Sequence, residues 1–198
     1  MASAQTSAKF AIGWIGALAV AFAVGAIIVA VAANPSWQID VNPICDLGVG
    51  ESSLTYTIGM AIAGILLAVF GAGRAAFGKN YHAEASIITA ALGICIVLLS
   101  YFTIDYKDGD FHNYLTYIAM LFLAVAAIVH SYQYWFDGGA RRITAGVGII
   151  ALTVCIAALL SMSFDVFTNV VVIAGLVWFA ADATTYIYGN INSLKVKE

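Results

Sequence analysis

Six apolar runs, each long enough to cross about 30 Å of hydrocarbon as a helix, dominate this sequence: residues 10–32, 54–77, 84–104, 113–136, 143–162 and 167–188. No proline interrupts any of them. They lack the two-residue alternation of lipid-facing and lumen-facing side chains that a barrel strand needs. A helix, by contrast, satisfies its own backbone inside hydrocarbon. The expected fold is therefore all-α, a single polytopic domain over residues 1–198 built as a six-helix transmembrane bundle with short loops. The composition agrees, with 63% hydrophobic and 10% charged residues and a mean hydropathy of +0.96, whereas soluble domains carry about a quarter charged residues.

The few charges carry the topology. Basic residues near helix ends stay on the cytoplasmic side. Lys9, Arg74, Lys79, Arg141, Arg142, Lys195 and Lys197 fall on one side of the expected bundle and only Lys107 on the other. Both termini are thus expected in the cytoplasm, in a multi-pass protein of the cell membrane. The opposite face collects Asp40, Asp46, Glu51, Asp105, Asp108, Asp110 and Asp165, so the external loops are acidic. The first run, which follows Lys9 and ends Ala30-Val31-Ala32, exceeds the roughly 7–15 residues of a signal-peptide core and reads as a retained helix.

A net charge of -3 offers no basic surface for nucleic acid. Membrane lipids are the expected partners, followed by another membrane protein or a second copy of the chain. The three cysteines, Cys45, Cys95 and Cys155, form no CxxC pair and have no Cys/His ligand spacing.

Small residues recur every four positions at Gly13, Ala17, Ala21 and Gly25, and again at Gly64, Ala68 and Ala72. Such stripes let helix backbones approach closely, within one bundle or between two copies. Trp14, Trp37, Trp135, Tyr101, Tyr106, Tyr114, Tyr132, Tyr134, Tyr186 and Tyr188 lie near expected helix ends, as interfacial anchors would. A weak internal echo relates Ile88-Thr89-Ala90 to Ile143-Thr144-Ala145 and Phe111-His112-Asn113 to Phe167-Thr168-Asn169, consistent with a duplicated helical hairpin.

The longest polar segment, 34–53, holds both prolines, Pro35 and Pro43, and is expected to fold as a cap on the external face. The segment from Asp105 to Asn113 has calcium-loop spacing at its start but places Thr116 where the bidentate glutamate belongs, which excludes an EF-hand. Asp46, Asp105, Asp110, His112 and Asp165 share the external face and are the outer-face site candidates. They read as solvated acidic loops ahead of a looser metal site, so no metal is assigned. Within the spans, Arg74, His130 and Asp182 are the ionisable candidates, all toward the cytoplasmic end. Arg74 is placed to pair with Asp182, with His130 bonding nearby, as a structural pairing or snorkelling ahead of a proton or substrate path.

No phosphate loop, HExxH or Gly-x-Ser-x-Gly motif is present. His130 lacks the matched histidine of a haem site, and no buried helical lysine offers a retinal site, so no cofactor is expected. Ser100, Asp105 and His112 can be drawn as a lipid-hydrolase set, but nothing in their spacing demands it.

Asp46-Leu47-Gly48, preceded by Asn34-Pro35 and followed by Ile58-Gly59-Met60 and Gly64, resembles domain-of-unknown-function family 998, prokaryotic membrane proteins common in archaea. Phe102, Asp105, Asp110 and His112 match the end of that family's third helix and the acidic segment with histidine beyond it, while Cys45 stands where the family carries serine. The resemblance implies a six-helix fold distantly similar to the FRAG, DRAM and Sfk type, and hints at lipid handling. The expected function is a non-enzymatic membrane protein whose acidic outer cap binds a lipid headgroup, a cation or a membrane partner. The alternatives are a membrane-embedded lipid-modifying enzyme using His112 and a small-solute or proton transporter using Arg74, His130 and Asp182.

Overall fold

A computed structural model describes residues 2–77, 81–139 and 141–195. Six α-helices account for almost all of them: α1 (Ala2–Ala33), α2 (Ser53–Phe77), α3 (Tyr81–Tyr101), α4 (Asp110–Asp137), α5 (Arg141–Ser161) and α6 (Phe164–Lys195). Each contains a segment long and apolar enough to cross a membrane. The chain is a six-helix, all-α membrane bundle.

The bounds differ from the hydropathy limits where polar residues continue a helix. α1 begins at Ala2 and α6 runs from Phe164 to Lys195, because hydropathy marks only the part that can lie in hydrocarbon. α3 stops at Tyr101, three residues short of the expected 104. The chain turns there through a 3-10 turn at Tyr106–Gly109, and Gly109 enters α4 at φ +81°. At the other end of α4, Gly138 adopts φ +77° and returns its N–H to the Tyr134 carbonyl at 3.3 Å. Both positions need a left-handed backbone that glycine adopts without steric cost.

Successive helices pack side by side, and α1 closes the ring against α6. The closest approach joins α2 and α3: a Cβ added at Gly64 would lie 2.8 Å from the Gly93 carbonyl oxygen, and one at Gly71 would run into the α3 backbone at Ala90. The expected small stripe of α2 is thus used at Gly64 and Ala68, while Ala72 is exposed and Gly71 takes its place.

The expected stripe of α1 is corrected. Gly13 meets Ile187 of α6, but Ala21 is exposed and Gly25 faces open space. A four-residue repeat drifts by about 40° per step around a helix of 3.6 residues per turn, so Gly25 lies about 120° from Gly13. α1 buries Ala19, Ala23, Ala26 and Ala30 instead, whose mixed spacing follows the true period.

Lys9, Arg74, Arg141 and Arg142 lie at the helix ends away from the 34–52 segment; Lys79 and Lys197 lie outside the described residues. Arg141 pairs there with Asp137 at 2.6 Å. The two ends of the bundle are called here the capped end, under 34–52, and the basic end.

Candidate functional site

The 34–52 segment is a folded cap. It contains two short 3-10 turns, Ile44–Gly48 and Gly50–Ser52, and buries Ile44 and Leu47 against Ala30 of α1. Trp37 donates its indole N–H to the Pro43 carbonyl at 3.1 Å, and Ser52 donates its hydroxyl to the Leu47 carbonyl at 3.0 Å.

One buried side chain ties the cap to the bundle. The Asn169 Oδ1 on α6 accepts the Ile44 N–H at 2.7 Å, and its Nδ2 donates to the Ile39 and Asn42 carbonyls at 2.8 Å each. A single amide thereby satisfies three backbone groups that the prolines and the irregular chain leave without helical partners.

Beneath the cap lies a cavity of about 420 Å³. Its wall comes from α1, α2, α3, α4, α6 and the cap, but not from α5. The deep part is apolar, formed by Ala19, Leu67, Leu92, Ala119 and Phe179 among others. Polar groups gather toward the cap: Tyr56, Thr103, His112, Asn113, Thr116 and Asp165. An apolar shaft under a polar collar is therefore built into the capped half. Between the starts of α4 and α6, Tyr117 and Phe164 line this cavity while remaining about half exposed on the outside, their ring centroids 5.5 Å apart.

His112 is the central member of the collar. It sits in the first turn of α4 and is only 4% exposed. Its Nδ1 lies 2.7 Å from the Phe102 carbonyl oxygen. A carbonyl can only accept, so Nδ1 carries the hydrogen. Nε2 is buried with no hydrogen-bond partner, and an orphaned polar atom in a native interior calls for a missing partner. Ser100 also lines the cavity, but its hydroxyl is engaged by the Val97 carbonyl at 2.7 Å. It is not directed at His112.

Of the acidic candidates, Asp165 and Asp105 lie within electrostatic reach of Asp46. Asp46, in the cap's first 3-10 turn, is half-buried, and its carboxyl is pushed above the usual carboxylate range. Burial is the main cause, followed by the Asp165 charge with a smaller share from Asp105; the Asn42 side chain and His112 oppose the shift. Asp165, in the first turn of α6, and Asp105, before α4, are exposed. Asp110 is exposed and lines no part of the cavity. The looser metal site drawn across these loops is not formed: among the described residues no group of three His, Cys, Asp or Glu side chains is placed to hold an ion. The Cys45 thiol, which also lines the cavity, is pushed up to about 11 by burial and then by the neighbouring Asp46 charge.

Arg74, His130 and Asp182 meet at the basic end in one buried network. Arg74 forms an ion pair with Asp182 through Nη1, and its Nη2 donates to the Tyr134 hydroxyl at 2.7 Å. That hydroxyl donates to the second Asp182 oxygen at 2.6 Å. The His130 Nδ1 lies 3.3 Å from Arg74 Nη2 and its Nε2 lies 3.4 Å from the Thr89 hydroxyl. Arginine only donates, so His130 accepts at Nδ1 and carries its hydrogen on Nε2. The rings of Phe70 and Tyr186 cover the guanidinium at 5.1 and 5.2 Å.

Arg74 is 5% exposed and Asp182 is fully buried, so the arginine does not snorkel. Both carboxylate oxygens are occupied and the charges cancel. The arrangement joins α2, α4 and α6 as a lock, with Thr89 reaching it from α3.

Several of these residues escape sequence reading. Asn169 appears only as part of the internal echo, and its one available signal is an amide inside an apolar run. Tyr134 reads as an interfacial anchor but is 3% exposed inside the lock. Its position one turn beyond His130, on the same face of α4, is the signal that identifies it. Trp14, Tyr101, Tyr114, Tyr132, Trp135 and Tyr188 are exposed, as anchors should be.

The chain matches no family model, no curated protein and no solved structure. The likeness to family 998 rests on the short motifs alone.

Proposed function

We propose that this protein is a non-enzymatic, multi-pass membrane protein that holds a lipid-like amphiphile in the cavity beneath its cap. The cap faces the outside of the cell membrane in this reading, with both termini in the cytoplasm, following the sorting of Lys9, Arg74, Arg141 and Arg142 to the basic end.

One observation carries the proposal: a cavity of about 420 Å³ with an apolar floor and a polar collar that contains a buried histidine nitrogen without a partner. Its size falls within the roughly 300–1,000 Å³ of small-molecule sites, and a few polar groups on an apolar wall are what such sites use to orient a ligand. Of the acidic candidates, Asp165 belongs to this collar, whereas Asp46, Asp105 and Asp110 do not line the cavity.

Purification in a mild detergent, followed by extraction and mass spectrometry of bound lipids, tests this directly. Wild-type protein is expected to retain a stoichiometric amphiphile, and Ala119→Trp, which fills the shaft, is expected to lose it. Equal lipid content in the two, at equal folded fraction, removes the proposal.

A lipid-modifying enzyme is the alternative that one feature favours. A histidine fixed through Nδ1 to a carbonyl and unpartnered at Nε2 has the form of a general base. Its weakness is that Ser100, the nearby nucleophile candidate, is bonded elsewhere. Conversion of the extracted lipid by purified protein, abolished in His112→Gln, would favour this alternative.

A further inference from the structure

The amphiphile reading leaves the headgroup unspecified, and the collar carries enough chemistry to specify it. His112 has one committed nitrogen and one uncommitted nitrogen. With Nδ1–H held by the Phe102 carbonyl, the ring direction and tautomer are fixed. In the neutral ring this tautomer leaves a lone pair on Nε2, which is buried without a partner and which a donor completes.

The remaining collar selects in the same direction. Asp165 lines the cavity, and its charge reaches Asp46 in the cap. Among the described side chains no arginine or lysine lines the cavity. The described arginines, Arg74, Arg141 and Arg142, belong to the opposite end of the bundle. A phosphate or carboxylate headgroup would thus meet the Asp165 carboxylate, and it would offer the Nε2 lone pair only acceptors. A hydroxyl or an ammonium group offers what the site lacks.

Resting on the cavity-binding reading, we infer that this site selects amphiphiles whose headgroup donates a hydrogen bond and carries no negative charge, a long-chain alcohol or amine, with His112 Nε2 as the acceptor. The apolar shaft, closed below by Leu67 and Phe179, takes the first part of the chain. Tyr56 stands on the same collar, and its phenolic hydroxyl both donates and accepts. It suits an alcohol, which can donate to His112 and accept from Tyr56.

The test uses the full chain in phosphatidylcholine nanodiscs and three probes that share one diazirine-bearing sixteen-carbon chain and end in an alcohol, an amine or a carboxylate. Photolabelling sites are mapped by mass spectrometry and yields are compared at equal probe content. The alcohol and amine are expected to label cavity-lining peptides of α2, α4 and α6 about tenfold more than the carboxylate, the scale set by leaving one buried polar group unsatisfied. Amine above alcohol assigns the extra selection to the acidic rim, and equal yields assign it to His112; both support the inference.

In His112→Phe the preference over carboxylate is expected to fall by at least fivefold while the cavity is still labelled. In Asp110→Asn, an exposed residue that lines no part of the cavity, the alcohol yield is expected to stay within twofold. Carboxylate labelling equal to or above the alcohol in wild-type protein overturns the headgroup inference and leaves cavity binding standing, with no need for any variant. Absence of cavity labelling by all three probes overturns the underlying binding reading instead.

Discussion

Breaking the Arg74–Asp182 pair on one side only should destabilise the bundle far more than removing it altogether. In Asp182→Asn the guanidinium keeps its position beneath Phe70 and Tyr186 but loses its counter-charge. It cannot shed its proton to escape. In Arg74→Met a carboxylate is left with the Tyr134 hydroxyl as its remaining donor among these partners. Removing one member of a buried pair costs about 3–5 kcal/mol. A Coulomb estimate at an effective dielectric of about 20 and a separation of about 4 Å gives a similar figure, near 4 kcal/mol. Ordinary interhelical hydrogen bonds in membranes average only about 0.6 kcal/mol, so the charge, not the bond count, decides the outcome.

For a chain of 198 residues, each kcal/mol moves the melting temperature by about 2–4 °C, so either single variant should melt about 6–20 °C below wild type. The double variant Arg74→Met/Asp182→Asn should recover most of that loss, so the coupling between the two changes should exceed either single loss, at least about 3–5 kcal/mol. Thermal unfolding followed by a thiol-reactive dye reads this through Cys95 and Cys155 inside the spans. A second readout on Trp fluorescence guards against effects at the dye. Single variants within 2 °C of wild type, or losses that simply add in the double variant, would refute the assignment of the network as a lock.

Other consequences of the geometry are open to measurement. Cys45 alkylation by a maleimide should be about a hundredfold slower near neutral pH than that of a thiol titrating at its ordinary 9.0, since the thiolate is the nucleophile and this thiol is pushed up to about 11. The rate should still be climbing at pH 10, and a plateau below pH 9 would contradict it. Asp46→Asn should raise the melting temperature slightly at pH 7. A carboxyl held above its unfolded range opposes folding when ionised, and this penalty fades as pH falls through the raised value toward the ordinary 3.8. The gain should therefore vanish in acid, and a gain that grows in acid would reverse the sign. Asn169→Ala removes three hydrogen bonds and leaves the Ile44 N–H buried without its acceptor, costing about 2–3 kcal/mol. Hydrogen exchange should rise sharply over 39–44 and little in α2 or α3; uniform protection would show that the cap is held by something else. Phe164→Ala should speed exchange of a bound lipid probe severalfold, because this ring and Tyr117 form the wall between the starts of α4 and α6.

The helices were legible because lipid imposes one simple demand, twenty apolar residues in a row, and proline-free runs meet it. Helix ends were less legible, since α1 and α6 continue through polar residues that a hydropathy limit does not count. The ionisable residues at the basic end could be placed together, because three charges in a greasy bundle have few partners to choose from. Tyr134 and Thr89, which complete their hydrogen bonds, could not, because tyrosine and threonine are equally at home at an interface or in a core.

At the capped end the sequence pointed to four aspartates and His112 together, and the geometry singles out His112. Acidity is visible in a string of letters, whereas a cavity is an absence created by how five helices and a loop fail to fill a space. No periodicity announces it. Asn169 is hidden for a related reason: its three partners are backbone groups 125 to 130 residues away, and backbone groups have no letter of their own.

The two ends of the bundle also constrain one another energetically. Apolar space left empty in a core costs about 24 cal/mol per Å³, so leaving the apolar shaft of this cavity vacant would cost on the order of several kcal/mol. That is a large share of the net stability of many folded domains, about 5–15 kcal/mol. Water is a poor filler for the shaft, because Leu67, Leu92, Ala119 and Phe179 offer it no hydrogen bonds. Hydrocarbon fills it at little cost, and the half-exposed ring pair on the wall shared by α4 and α6 lies beside the bilayer that supplies it. A bundle that keeps such a space needs its helices fixed elsewhere so that they do not collapse inward. The lock at Arg74, Tyr134 and Asp182 and the backbone contacts of α2 with α3 supply that rigidity from the basic end, while Asn169 supplies it from the cap. Loosening either end should therefore weaken lipid retention even when the cavity wall is untouched. Asp182→Asn, whose side chain lines no part of the cavity, should release copurifying lipid at temperatures below its own unfolding. Lipid loss coincident with global unfolding would show that the ends act independently.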